Sequence, residues 1–251
     1  VPFALASVSA NRHSASLRVI YSGTMSAPPT EYATSQNGTP RIVRIIVRSG
    51  VDQGFVDRLT SSLADVGWHE VKHAYGEASN LPALLFAVVV GTDEVRPPAW
   101  WELWGSIHHQ GTVYEATAPS IPFIETIASS AEHPDRVEAL AFLREIAVGN
   151  GPYANDVRAA IRPGAEALLA GWETEPDLIR RALIWLASAF PDLASQHREL
   201  VRLVPKAMQT AWDEVVARSG YPIAEQDYST DEATDREDEL ARWALAGWPS
   251  A

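Results

Sequence analysis

Residues 81–90, LPALLFAVVV, return in altered form as IPFIETIASS at 121–130, IRPGAEALLAGW at 161–172 and LVPKAMQTAWDEV at 203–215. Pro82, Pro122, Pro163 and Pro205 stand 40, 41 and 42 residues apart, each near the expected start of an apolar helix. A missing N–H costs nothing in a first turn, where that group has no intrahelical partner. Between the prolines the register continues: DEVRPPAWWELW, HPDRVEALAFLREIA and EPDLIRRALIWLASAF each set an acidic residue and an arginine (Arg96, Arg136, Arg180) before a second amphipathic helix. Acidic side chains suit the positive end of a helix dipole. A period near 40 is the mark of helical hairpins that cannot cover their own apolar faces and stack to make a core. From Leu81 onward nearly every apolar run has helical spacing, so the expected class is all-α.

This proline, aspartate and arginine pattern resembles the HEAT-repeat family over about residues 81–220. The resemblance implies a right-handed α-solenoid of about four HEAT-like helical hairpins. Two longer strings, WHEVKHAYGEASNLPALL and HQGTVYEATAP, resemble a group of actinobacterial HEAT-like proteins, and that resemblance implies no activity. The expected organisation is a disordered or loosely ordered segment at 1–40, an N-terminal helical cap at 41–80, and a helical repeat domain at 81–251. Within the last, an acidic loop at 224–239, with eight carboxylates from Glu225 to Glu239, precedes a capping helix over Leu240–Gly247.

Residues 1–40 are rich in Ser, Ala, Pro, Thr and Asn and lack apolar periodicity, the profile of a segment that cannot repay its ordering entropy. RIVRIIVRSG at 41–50 puts Arg41, Arg44 and Arg48 on one helical face and ends at Gly50, while its β-branched residues leave a strand open. Next, Gln53–Asp65 sets Phe55, Leu59 and Leu63 four apart, a helix stripe.

With 251 residues and 46% hydrophobic content, the chain can bury a substantial core. Its net charge is −12, and 20 Lys and Arg are scattered among 32 Asp and Glu, so no basic face for phosphates is legible. Nucleic acid and membranes are therefore not expected partners. There is no cysteine, which excludes disulfides and thiol chemistry. No apolar run approaches the roughly 18 residues of a membrane span, and VPFALASVSA lacks the basic start of a secretory signal, so a cytoplasmic location is expected. GxGxxG, Walker and GxSxG motifs are missing from the sequence.

Two stretches carry candidate chemistry. His69, Glu70 and His73 spell HExxH, the zinc-protease signature. Such a site needs both imidazoles one turn apart on a stable helix, plus a third ligand, for which Glu94 or Asp93 is the candidate. A helix between Gly67 and Gly76 would be only about eight residues long, too short to be rigid unaided, and Lys72 places a cation between the ligands. The expectation is therefore no metal, no cofactor and no enzyme. A zinc-dependent hydrolase or small-molecule site on HEVKH is the alternative.

The second stretch is WWELWGSIHHQGTVYEATAPSIPF, residues 100–123. Trp101, Trp104, His108, His109, Gln110, Tyr114 and Glu115 have the composition favoured at interfaces and are the candidate partner- or ligand-binding residues. A structural reading competes: His109 and Gln110 cap the preceding helix, Thr117 or Ser120 caps the next, and Tyr114 fills a gap. Trp172, Trp185 and Trp212 are expected in the core, with Trp243 and Trp248 sealing the C-terminal end. The expected function is a non-enzymatic protein-binding scaffold or regulatory module, a bacterial immunity-type role included, whose partner carries a basic surface.

Overall fold

The computed structural model describes residues 4–11, 14–21, 33–34, 41–42, 45–219 and 231–246. The chain is mostly helical, with eleven α-helices and several short strands among these residues. It divides into two compact units, Val1–His109 with Tyr114–Phe123, and Gln110–Val113 with Ile124–Ala251.

The first unit opens on β1 (Ala4–Asn11) and β2 (Ser14–Tyr21), paired antiparallel with Ala4 opposite Tyr21 and Asn11 opposite Ser14. These strands fall in the stretch expected to be loose. β3 (Ala33–Thr34) pairs with β4 (Arg41–Ile42), and β5 (Ile45–Val47) joins the far edge of β1, giving the order β2-β1-β5. Of the two conformations left open for 41–50, the strand forms and the helix does not. Ile42, Val43, Ile45, Ile46 and Val47 are β-branched, a run that crowds a helix and suits a pleated surface. Ile45 and Val47, two apart, are both buried. The strand end is fastened by the Arg48 N–H, which donates to the Val90 carbonyl at 2.8 Å.

α1 (Gln53–Asp65) starts at Asp52, whose side chain accepts from the Phe55 N–H at 2.9 Å. It buries Val56, Leu59 and Leu63, so Val56 takes the inward place expected of Phe55. α2 (Leu81–Val90) has Pro82 in its first turn and every one of its ten residues buried. A helix apolar all round must be enclosed, and α2 packs on α1, α3 (Arg96–Ile107) and β5. Arg96 is buried at the start of α3, where it donates to the Gly91 carbonyl beyond α2 at 2.9 Å and to Asp93 at 2.7 Å.

α4 (Thr117–Ser129) begins in the first unit and ends in the second. The second unit continues with α5 (Arg136–Ala147), α6 (Ala154–Ala170), α7 (Asp177–Ser188), α8 (Pro191–Gln196), α9 (Arg198–Val201), α10 (Gln209–Ser219) and α11 (Asp231–Ala244). α7 is its centre: Ala182 to Ser188 are all buried, and the helix packs against α5, α6, α8, α10 and α11.

Arginines close the open ends of these helices. The last carbonyls of a helix lack intrahelical partners, and a guanidinium carries enough donors to serve several at once. Arg136 gives its Nε–H to the Ala128 carbonyl at 2.7 Å and both Nη groups to Glu175 at 2.6 Å. Arg158 reaches the Ala147 and Ala189 carbonyls, at the ends of α5 and α7. Arg181 serves Trp243 and Ala246 at the end of α11, at 2.7 and 2.9 Å. Arg96 and Arg136 thus do one job forty residues apart. Arg180, placed in their register by sequence, does not; its Nε is buried without a hydrogen-bond partner among the described residues.

Other expectations are corrected. Pro122 and Pro163 lie inside α4 and α6 rather than at helix starts, and Pro205 precedes a 3-10 turn, Lys206–Met208. Their regular spacing therefore does not mark equivalent positions: α4 already starts at Thr117, with Pro119 in its first turn, and α6 at Ala154. Trp172 sits half-buried in a 3-10 turn, whereas Trp185 and Trp212 are buried. Of the acidic stretch 224–239, residues 231–239 are helical, because α11 starts at Asp231 and runs only to Ala244. Leu240 and Ala244 are buried and anchor it. The remainder of that loop and Trp248 lie outside the described residues.

One carboxyl is out of place energetically. Glu125 on α4 lies against Gly164 of α6, so closely that a Cβ there would overlap it, and its Oε1 is buried with no hydrogen-bond partner among the described residues. Burial pushes its pKa up from 4.5 to about 7. A carboxyl raised in the folded state holds its proton more tightly than in the unfolded chain, so stability falls as pH rises from 4.5 to 7 and the cost is complete above that. Glu125→Gln is expected to stabilise the protein at pH 8 by about 1–2 kcal/mol, allowing for the group's partial exposure, and to change little at pH 4.5. Urea unfolding at both pH values measures this; an equal effect at each would refute it.

Candidate functional site

The HEVKH stretch does not form a helix. After α1 the chain turns, and Trp68 is buried with its indole N–H donating to the Leu63 carbonyl at 2.7 Å, which closes the end of α1. His69 and Glu70 stay in the exposed turn, 3.7 Å apart. Lys72–His73 form β6, which pairs with β7 (Gly76–Glu77), so that Ala74 and Tyr75 are the tip of a hairpin. Gly76 has φ 124°, a conformation open to glycine and strained for other residues, and this lets the chain turn tightly back on itself after Tyr75.

His73 is committed to that hairpin. Its Nε2 meets Asn80 Oδ1 at 2.9 Å and its Nδ1 accepts the Tyr75 N–H at 3.0 Å. Burial lowers its pKa, with the Asn80 hydrogen bond opposing the shift, so the neutral ring is favoured. Glu94 lies in the turn before α3, where the neighbouring Thr92 hydroxyl holds its pKa below the ordinary value. Among the described residues no three His, Asp or Glu side chains converge as ligands. His69, His73 and Glu94 are therefore not brought together: the two histidines are not one helical turn apart, and both nitrogens of the second are occupied.

The residues from 100 to 117 give a different picture. Trp100 is buried, whereas Trp101 is 78% exposed. Trp101, Trp104 and His108 follow at i, i+3 and i+7 on α3, which puts them on one stripe. Trp104 and His108 meet edge to face, centroids 5.8 Å apart at 67°. His108 ends the helix, its N–H still donating to the Trp104 carbonyl.

Beyond it come β8 (His108–His109) and β9 (Thr112–Val113), joined by Gln110 and Gly111 at φ 51° and 78°. Exposed Gln110 thus serves as a turn residue, and it belongs to the second unit, where Asn150 holds the 111–113 segment by bonds to Gly111, Thr112 and Val113. In the first unit, Thr117 is fully buried; its hydroxyl donates to the Ile107 carbonyl at 2.6 Å and accepts the Tyr114 N–H at 2.9 Å. It ties the end of α3 to the start of α4.

No protein-family model, curated protein or solved structure matches the chain. Function must therefore be argued from the chemistry of the site.

The hairpin 72–77 is the organiser of that chemistry. Its Ala74 N–H donates to Ser106 of α3 at 2.9 Å, the Lys72 carbonyl accepts from Ala116 at 3.0 Å, and the Lys72 N–H reaches Glu115 Oε2 at 3.2 Å. Held from both sides, Tyr75 projects its hydroxyl to His109 Nδ1 at 3.1 Å. The result is a rim on the first unit carrying Tyr75, His109 and Glu115; Tyr114 and the Trp101–Trp104–His108 stripe belong to the same unit. The predicted residues other than Gln110 share this unit. Sequence reading places Lys72 only between the two histidines and does not single out Tyr75 as a site residue; the His-Ala-Tyr-Gly tetrapeptide, with glycine at the last turn position, signals the turn but not what its tip meets.

Proposed function

We propose that this chain is a non-enzymatic protein-recognition module, built on HEAT-like helical hairpins, that docks a basic segment of a partner protein along the α3 stripe. Trp101 carries the reading: a tryptophan 78% exposed at the head of a helix stripe is an anchor waiting for a pocket or a cation. Trp104 and His108 extend the same surface. The chain's net charge of −12, with Asp93, Glu94 and Glu102 close in sequence to the stripe, favours Arg or Lys on the incoming segment. Guanidinium groups in particular stack on indole faces. The recurrent role of Arg96 and Arg136 supports the HEAT-like scaffold.

Selection of random displayed peptides on the full chain is expected to enrich Arg- and Lys-bearing sequences whose binding weakens with salt. Trp101→Ala should reduce affinity for them at least about tenfold while leaving the melting temperature unchanged, since the side chain is solvent-facing. Peptides that bind Trp101→Ala as well as they bind the parent protein would end the proposal.

A further inference from the structure

The turn after α5 carries a chemistry that neither the tryptophan stripe nor the hairpin uses. Asn150 and Gly151 follow one another there, and the fold calls for both. Gly151 has φ 103°, a conformation strained for any residue with a Cβ, and a Cβ there would press on Thr112 Cγ2 at 3.1 Å and the Val113 carbonyl oxygen at 3.2 Å. Asn150 holds the 111–113 segment through three of its atoms. Its N–H donates to the Gly111 carbonyl at 2.7 Å, its carbonyl accepts the Val113 N–H at 2.9 Å, and its Oδ1 accepts the Thr112 hydroxyl at 2.7 Å. All of these residues belong to the second unit.

The same arrangement presents the parts of an intramolecular attack. The nucleophile is the Gly151 amide nitrogen, which has no hydrogen-bond partner among the described residues, no side chain beside it, and an exposed setting. The electrophile is Asn150 Cγ. Its oxygen already receives the Thr112 hydroxyl, a donor standing where negative charge gathers when the carbonyl is attacked. The leaving group is Nδ2, which donates to no described residue and lies over Gly111, 3.5 Å from where a Cβ would stand. Asn80 and Asn155 lack this combination, because Leu81 and Asp156 follow them and a Cβ crowds the next amide.

We propose that Asn150 is a self-modification site, where the Gly151 nitrogen closes on the side-chain carbonyl and the asparagine becomes aspartate and isoaspartate. As the Gly151 nitrogen gives its proton to solvent base, its bond to Cγ forms, the Cγ–Nδ2 bond breaks, and Nδ2 takes a proton from water and leaves as ammonia. Water then opens the cyclic imide with no change of oxidation state. Opening at Cγ gives aspartate. Opening at the main-chain carbonyl gives isoaspartate, whose backbone runs through the side chain, so that the Val113 N–H faces a free carboxylate and the paired bonds to Gly111 and Val113 lose register. The turn that carries Gln110 is released as the molecule ages.

Peptide mapping by mass spectrometry of the full chain, stored at mildly alkaline pH, is expected to find the conversion at residue 150, with isoaspartate identified by isoaspartyl methyltransferase labelling. Asn37–Gly38, outside the described residues, falls in a separate tryptic peptide. The folded chain should convert within about threefold of the rate of a free peptide spanning 147–155. Conversion more than about tenfold slower than in the peptide overturns the site, because the fold then shields the pair. Asn150→Asp carries the new charge on an unchanged backbone and should keep the Val113 amide protected from hydrogen exchange. The isoaspartyl fraction of the parent chain should lose that protection at least about tenfold; equal protection in the two overturns the release of the turn.

Discussion

Replacing Arg136 with alanine is expected to destabilise the protein by about 3–5 kcal/mol, the range for breaking a buried ion pair from one side. The guanidinium is buried and performs three tasks: it closes the Ala128 carbonyl and holds both oxygens of Glu175. Removing it leaves a largely buried carboxylate and an open helix end, and neither recovers its water. Because most of the loss comes from the stranded Glu175, pairing Arg136→Met with Glu175→Gln should restore much of it. Chemical denaturation of the two single variants and the pair forms a double-mutant cycle. Strict additivity would show that the two side chains do not act as a unit.

The second large effect concerns Arg144, which is buried with its guanidinium 3.9 Å from the Trp185 ring centroid. It donates to Glu145 at 2.9 Å and to Glu237 of α11 at 2.5 Å. Burial acts to lower its pKa, but the two carboxylates outweigh that and the net shift is upward, so the cation is secure. Arg144→Ala should cost about 3–5 kcal/mol and should also expose α11. Hydrogen exchange across 231–244 ought to accelerate more than across α5 itself. Glu237→Gln should cost only about 1 kcal/mol, since Arg144 keeps Glu145 and its bed on Trp185. Unchanged protection of α11 in Arg144→Ala would mean that Leu240 and Ala244 suffice to hold the helix.

These two arginines show how far sequence reasoning reached. Arg136 stood out because it recurs with Arg96 after an acidic turn, and both close the end of the preceding helix. Arg144 gave no such sign. It sits in the last turn of α5, in FLREIA, where a charge reads as solvent-facing, and it is buried because Trp185 and Glu237, far along the chain, arrive to cover it. The proline ladder misled in the same way: Pro163 has regular spacing, yet it stands inside α6, which already starts at Ala154.

Within the candidate site, the tryptophan stripe was legible because helical periodicity alone puts residues 101, 104 and 108 together. The Tyr75–His109 contact was not, because it joins positions 34 apart through a two-residue turn.

Apolar periodicity determined, by itself, that this chain is mostly helical and that residues 101, 104 and 108 share one helix face; each follows from the order of neighbouring residues along one element. Tertiary structure alone decided that HEVKH bends into a hairpin, that Glu125 is raised toward neutrality, and that aromatic rings from separate segments meet at a corner. Local spacing fixes which faces a segment has. Only packing fixes what those faces meet, and burial and ring geometry are properties of the meeting.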